Sequence, residues 1–171
     1  APGTTERSSV EDREALRAAA ADFTRREIAP HLQEWEDAGE LPRSLTEAAA
    51  KAGMLSVGYP EEVGGDGGNL LDACALQEGL MSVGASGGLM ASLYTHGISV
   101  PHMIANGSPD LIERYVRPTL TGELIGSLAI TEPDGGSDVA GLTTRAVRDG
   151  DHYVINGAKT FITSAVRGDF V

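Results

Sequence analysis

Ala129-Ile130-Thr131-Glu132-Pro133-Asp134-Gly135-Gly136-Ser137-Asp138 is the stretch on which the fold of this chain turns. A short β-type run stops at an X-Pro step, and two adjacent glycines and a second hydroxyl follow. Pro133 fixes its own φ and biases Glu132 towards extended backbone. Gly135 and Gly136 carry no Cβ, so the loop can turn sharply and press against a ring system. Thr131 and Ser137 supply hydroxyls that both donate and accept. The glycines alone would suit an acidic turn between two strands. The whole decapeptide suits a backbone that leaves a strand and meets a flat polar ligand.

Upstream of it the texture is helical. Ser9 followed by Asp12 reads as a helix start, and Val10, Leu16, Phe23 and Ile28 fall along one stripe. Pro30 cannot continue that ladder, so a kink or restart is expected, with the helix running past Trp35 to Gly39. A second helix opens at Leu41-Pro42-Arg43-Ser44, with Ser44 as cap and Glu47 three places on, and ends near Gly53. Pro60 to Asn69 is loop by composition. Its glycines fail the dinucleotide fingerprint because Leu70 holds the last glycine position. Helical patterning returns from Leu70 to Val83 and from Gly87 to about Asn106, and a shorter helix follows Ser108 to near Pro118. Residues 1–122 thus read as an all-α domain of about five helices.

Downstream the period changes. Leu124 to Ile130 has strand length and composition, Thr143 to Arg148 alternates, and His152 to Ile155 follows the turn Asp149-Gly150-Asp151. Asn156-Gly157 is a tight-turn signal and Lys159 to Thr163 reads as a further strand, with Lys159 on its solvated side. Residues 123–171 are therefore expected to begin a β domain. Asp169-Phe170-Val171 reads as the opening of another strand, and these strands hold too few apolar residues to close a core. The expectation is a chain cut short or completed by other polypeptide.

Composition narrows the functions. The 171 residues carry a formal net charge of −12 and no cation run longer than Arg25-Arg26, which argues against nucleic acid as a partner. Cys74 stands alone, fits a reducing compartment and falls in an apolar stretch where packing is expected. Ala1 to Arg7 is polar and lacks the apolar core of a signal peptide, and no stretch is apolar enough to cross a bilayer. A soluble, cytoplasmic protein is expected. His31, His96, His102 and His152 lack metal-ligand spacing, so no metal is expected.

These residues resemble the acyl-CoA dehydrogenase family over essentially the whole chain. Ala129 to Gly141 is similar to the family's principal signature, and Asn156-Gly157-Ala158-Lys159-Thr160-Phe161-Ile162-Thr163-Ser164 to its second flavin-binding segment. Glu27-Ile28-Ala29-Pro30, Leu41-Pro42-Arg43, Gly53-Met54-Leu55 and Pro60 to Gly65 match further landmarks. The resemblance implies an α+β multidomain fold: an N-terminal helical domain, a middle antiparallel β-barrel of which this chain holds the first part, and a C-terminal helical bundle absent here. It implies FAD and an acyl-CoA substrate. A carboxylate takes the proton next to the thioester carbonyl, hydride passes to flavin N5, and trans-2-enoyl-CoA results. Electrons then go to an electron-transfer flavoprotein or similar acceptor.

Carried over residue by residue, Thr131 binds the flavin's pyrimidine side with the Leu128, Ala129 and Ile130 backbone alongside. Thr163 sits near N5, Phe161 stacks on the isoalloxazine with Ile162 in the same segment, and Ser137 meets CoA or the cofactor's phosphate-bearing chain. The family usually has Trp where Phe161 stands, and often Asn where Ser164 stands. The catalytic base belongs to the C-terminal region, so no residue here takes that role, and Glu132 is a poor substitute inside the binding turn. Gly84, Gly87, Gly88 and Gly97 lie where the family lines its acyl pocket. They either make room for a bulky acyl chain or let helices approach. The resemblance also implies a role in fatty acid metabolism, a homo-oligomer (tetramer or dimer) and, in a eukaryote, the mitochondrial matrix. Alternatives are an acyl-CoA oxidase or a flavin monooxygenase on the same scaffold, or, from another class, a non-catalytic partner that binds acyl-CoA or completes another subunit. The central expectation is that Thr131 and Thr163 converge on one isoalloxazine.

Overall fold

The computed structural model describes residues 8–171; the polar N-terminal stretch read above lies outside the described residues. Helix α1 spans Val10–Phe23 and starts with the reciprocal cap that Ser9 and Asp12 promise. The Ser9 hydroxyl accepts from the Asp12 N–H at 3.0 Å, and the Asp12 carboxylate accepts from the Ser9 N–H at 2.8 Å. Ahead of Pro30 the ladder widens into a π turn, Thr24–Ile28, and helix α2, Leu32–Ala38, restarts beyond it and ends at left-handed Gly39.

Helix α3, Arg43–Lys51, begins two residues earlier than a Ser44 cap would place it. Pro42 occupies the cap position with extended backbone, so Ser44 lies inside the first turn and caps nothing. Helix α4, Leu70–Ser82, has a second reciprocal cap, Asn69 with Asp72. Asp72 is buried and also receives the Arg13 guanidinium at 3.0 Å, which ties α4 to α1. Gly79 lies where these helices meet, and a Cβ there would stand 2.8 Å from the Ala20 methyl. Cys74 faces out of α4 and is exposed, not packed as its apolar neighbourhood suggested.

The expected single helix from Gly87 to Asn106 is two, α5 Gly87–Leu93 and α6 His96–Asn106. The break falls at Tyr94-Thr95, where the Thr95 hydroxyl turns back to donate to the Ala91 and Ser92 carbonyls. The last helical stretch runs through α7 Pro109–Leu111, a π turn Ile112–Val116 and α8 Arg117–Leu120. Phe23, Ile28, Leu55, Leu76, Leu80 and Leu89 form the main core, and Val63, Val100, Val116 and Leu120 a smaller one. Each such side chain contributes about 1.5–3 kcal/mol on burial.

Among the described residues only two strands, both in the β part, pair as a ladder. They are β1 Arg145–Asp149 and β2 His152–Asn156, antiparallel with Val147 opposite Val154. The strands expected at Leu124–Ile130 and Lys159–Thr163 do not form. The first run is extended but meets a neighbour only at the Gly126–Phe170 bridge, and a ladder needs a continuous partner. The second makes one backbone bond and then turns out of strand geometry at Phe161, whose φ is +57°. The barrel is accordingly not closed among these residues. Arg43 fixes the crossing from helices to β segments: it donates to both Asp169 carboxylate oxygens at 2.6 Å and to the Glu123 carbonyl at 3.0 Å.

Candidate active site

Two loops carry the residues singled out in the sequence, and the structure joins them. The Thr160 N–H donates to the Thr131 carbonyl at 2.9 Å. One residue to either side, Lys159 Nζ donates to the Ile130 carbonyl at 2.7 Å and to a Glu132 carboxylate oxygen at 3.0 Å. Glu132 is 6% exposed. Its carboxylate also accepts from the Thr143 N–H and hydroxyl, each at 2.7 Å, and from the Thr144 N–H at 2.8 Å. Burial opposes ionisation of this carboxylate less than its donors favour it. The adjacent Thr144 hydroxyl, the Thr143 hydroxyl and the two N–H groups hold its carboxyl far below the ordinary carboxylate range. The Thr143 hydroxyl and the two N–H groups make formed bonds; the Thr144 hydroxyl faces the carboxylate without one.

The turn itself is closed by a reciprocal pair, the Glu132 N–H to the Gly135 carbonyl at 2.9 Å and the Gly135 N–H to the Glu132 carbonyl at 3.1 Å. Gly136 lies against Thr131, and a Cβ there would come within 3.4 Å of the Thr131 hydroxyl. Leu128, Ala129, Ile130 and Thr131 are half-buried, whereas Ser137 is exposed beyond the turn.

On the second loop Phe161 is 91% exposed and Thr163 is exposed, while Ile162 turns into a cavity of about 460 Å³. This cavity lies between the loop and the helices, with Trp35, Leu41, Gly88, Ser92 and Arg167 in its wall. Ser164, also left-handed at φ +61°, sits 3.2 Å from the Ser92 hydroxyl and 3.1 Å from that of Thr95. Arg167 donates to the Leu41 carbonyl at 2.8 Å. The loop that follows Thr163 is thus anchored to the helices at two points. Glu36 and Glu40 give the cavity an acidic rim.

The family model for the acyl-CoA dehydrogenase N-terminal domain matches residues 10–123, and that for the acyl-CoA dehydrogenase middle domain matches residues 127–171. The chain belongs to the acyl-CoA dehydrogenase family. It is 36% identical over 160 residues to the mitochondrial long-chain specific acyl-CoA dehydrogenase of Sus scrofa, covering 94% of this chain and 37% of the relative. The crystal structure of a probable acyl-CoA dehydrogenase from Mycobacterium abscessus superposes with a TM-score of 0.91 at 59% identity, over 95% of this chain and 43% of that one. A glutaryl-CoA dehydrogenase from Mycobacterium smegmatis in complex with FADH2 gives 0.85 at 26% identity, over 93% and 41% of the two chains. The chain therefore spans about two fifths of the length of these relatives.

Acyl-CoA dehydrogenases are FAD-dependent oxidoreductases, and the residues present fit such a group. The donor set is hydroxyls and backbone on two joined loops. Gly136 keeps the Thr131 hydroxyl clear, and an aromatic face at Phe161 is open. What sequence reasoning missed is Lys159, which is neither on a strand nor solvated. A lone Lys between the apolar residues Ala158 and Phe161–Ile162, with an acid in the companion motif, is the signal that points to such a pair. Glu36, Ser92 and Arg167 carried no signal, because only the fold brings them to one cavity. Among the described residues no helix is long and apolar enough to cross a membrane.

Proposed function

We propose that this chain contributes the flavin-facing turns and part of the acyl wall of an enzyme that dehydrogenates an acyl-CoA thioester to its trans-2-enoyl-CoA. The observation that carries this reading is the Thr160 to Thr131 backbone bond, which sets the two flavin motifs of the family side by side. FAD, bound between residues 128–131 and 161–163, supplies the capacity to accept hydride. Thr131 and Thr163 orient it through their hydroxyls, with the Leu128, Ala129 and Ile130 backbone alongside. Phe161 packs on its ring with Ile162 in the same cofactor-binding segment, and Ser137 binds CoA or the cofactor's phosphate-bearing chain. The Trp35–Leu41–Gly88–Ser92 cavity receives the acyl chain.

Glu132 is not the base. Both of its oxygens are committed to donors, and its lowered pKa makes it a weak proton acceptor. The base is assigned to no residue of this chain. Electrons leave to an electron-transfer flavoprotein or similar acceptor, and the enzyme is a homo-oligomer, tetramer or dimer.

The test is anaerobic mixing of the full-length holoenzyme with a series of acyl-CoA thioesters. Bleaching of the flavin band with formation of enoyl-CoA is the expected result. No bleaching with any thioester, or absence of flavin from the purified protein, overturns the reading. Rapid peroxide formation in air without an added acceptor would assign an oxidase instead.

A further inference from the structure

Lys159 and Glu132 have a part to play that the flavin reading leaves open. The sequence gives each loop one charged residue beside its hydroxyl-bearing segment. Lys159 precedes Thr160–Thr163 by one position, and Glu132 follows Thr131 directly. The Lys159 side chain is 21% exposed and that of Glu132 6%, and the two groups stand 3.0 Å apart. The ammonium bridges two acceptors on the opposite loop, one a backbone carbonyl and one a side chain. The carboxylate in turn reaches a third segment, the entry to β1, through Thr143 and Thr144.

Three separate pieces of backbone, residues 130–132, 143–144 and 159–160, therefore meet at one ion pair. None of the three is held to another by a strand ladder: Thr160 to Thr131 is a single backbone bond, and β1 pairs only with β2. In a sheet, consecutive ladder bonds would fix the separation of these segments. Here the ion pair and its donors must do so. Gly157 tightens the same corner, because a Cβ there would run into the Thr144 side chain.

We propose that Lys159 and Glu132 are positioning residues that set the distance between the Thr131 and Thr163 hydroxyl segments. Through that spacing they fix the affinity and redox potential of the flavin held between them. This rests on the assignment of those segments to FAD made above. An ion pair of this kind, sheltered and supplied with further donors on the carboxylate, is geometrically stiff, which suits a spacer. Its effect is exerted through the Ile130 carbonyl and the Thr131 and Thr160 backbone.

The experiment uses the full-length enzyme with Lys159→Met, Glu132→Gln, the double variant, and Thr131→Val with Thr163→Ala as reference. Apoenzyme is titrated with FAD, the flavin midpoint potential is measured by dye equilibration, and apoenzyme melting is recorded in parallel. Lys159→Met is expected to weaken FAD by about tenfold, the scale of losing a charge-assisted bond, and to displace the potential. Apoenzyme melting should change by far less than the flavin readouts. Should Lys159→Met fail to fold with Glu132 left unpaired, the double variant removes both charges and carries the same expectation. Because the two side chains act as a unit, the double variant should be no worse than the worse single one.

Unchanged FAD affinity and potential in Lys159→Met or the double variant overturn the proposal. So does a loss of apoenzyme melting that accounts for the whole loss of FAD. If Thr131→Val and Thr163→Ala weaken FAD while Lys159→Met does not, the spacer fails and the flavin reading stands. If the threonine variants and the wild type bind FAD alike, or the wild type binds none, the flavin reading fails and takes the spacer with it.

Discussion

The Thr160 N–H and the Thr131 carbonyl are 2.9 Å apart, and this one backbone bond ties the two hydroxyl-bearing loops together. It is formed by residues that the sequence motifs hold 29 positions apart, the same interval that separates Ile130 from Lys159. Thr131→Val keeps the shape and removes the hydroxyl. In the full-length enzyme it should weaken FAD by roughly fivefold, the loss of one hydrogen bond of about 1 kcal/mol. A fluorescence titration of apoenzyme measures it, and an affinity equal to wild type would remove Thr131 from the flavin site.

The same bond shows where sequence reading succeeds and where it stops. The caps at Ser9 and Asn69 and the hairpin of β1 with β2 depend on neighbours a few positions away, so local patterning finds them. The strand expected at Lys159–Thr163 fails because Phe161 is left-handed, a conformation no alternation of side chains announces. The break at Tyr94-Thr95 is hidden for a similar reason. Tyr94, Thr95, His96 and Gly97 are all weak helix formers, but the place of the break is set by the Thr95 hydroxyl's return to Ala91 and Ser92. Local alternation makes Lys159 look solvated, because its partner Glu132 lies in a different segment.

Gly79 sets how closely α4 approaches α1. A methyl there would meet the Ala20 side chain at 2.8 Å and the Arg17 backbone closer still, and neither can move without parting the helices. Overpacking at such a contact costs about 1–3 kcal/mol. Gly79→Ala should lower the denaturant midpoint of the full-length protein without changing the slope of the transition. A midpoint equal to wild type would show that α1 shifts freely.

His96 should make the fold acid-sensitive. Its ring lies between Tyr59 and Tyr94, with centroids 5.7 Å from each, and Nε2 donates to the Leu55 carbonyl at 3.0 Å. Burial disfavours the imidazolium and lowers its pKa, and the Leu55 and Leu93 carbonyls only partly oppose this. The unfolded state therefore takes up the proton first. Stability is fully present above the ordinary value of 6.5 and declines as pH falls from there towards the lower folded value. His96→Asn should be less stable at pH 7.5 yet lose less on acidification. The difference between the two stability curves isolates this one group, and parallel curves down to pH 5 would contradict it.

Gly88 tests what the cavity is for. A Cβ there finds only the Glu36 carboxylate at 3.8 and 4.0 Å and the Ser86 hydroxyl at 3.9 Å, so the position is open towards the space lined by Trp35, Leu41 and Ser92. Gly88 also sits near the start of α5, where a larger residue with ordinary helical backbone meets no strain. Gly88→Leu should therefore leave the fold intact and fill part of the roughly 460 Å³. If the acyl chain occupies that space, turnover of long or branched thioesters falls by at least about tenfold while butyryl-CoA is spared, since excluded volume acts only on chains that reach it. The alternative assigns the small residues to helix approach, and it predicts a loss of thermal stability with the substrate profile unchanged. A wild-type enzyme that turns over butyryl-CoA alone would exclude the roomy pocket, because the space Gly88 leaves open would then have no acyl group to receive.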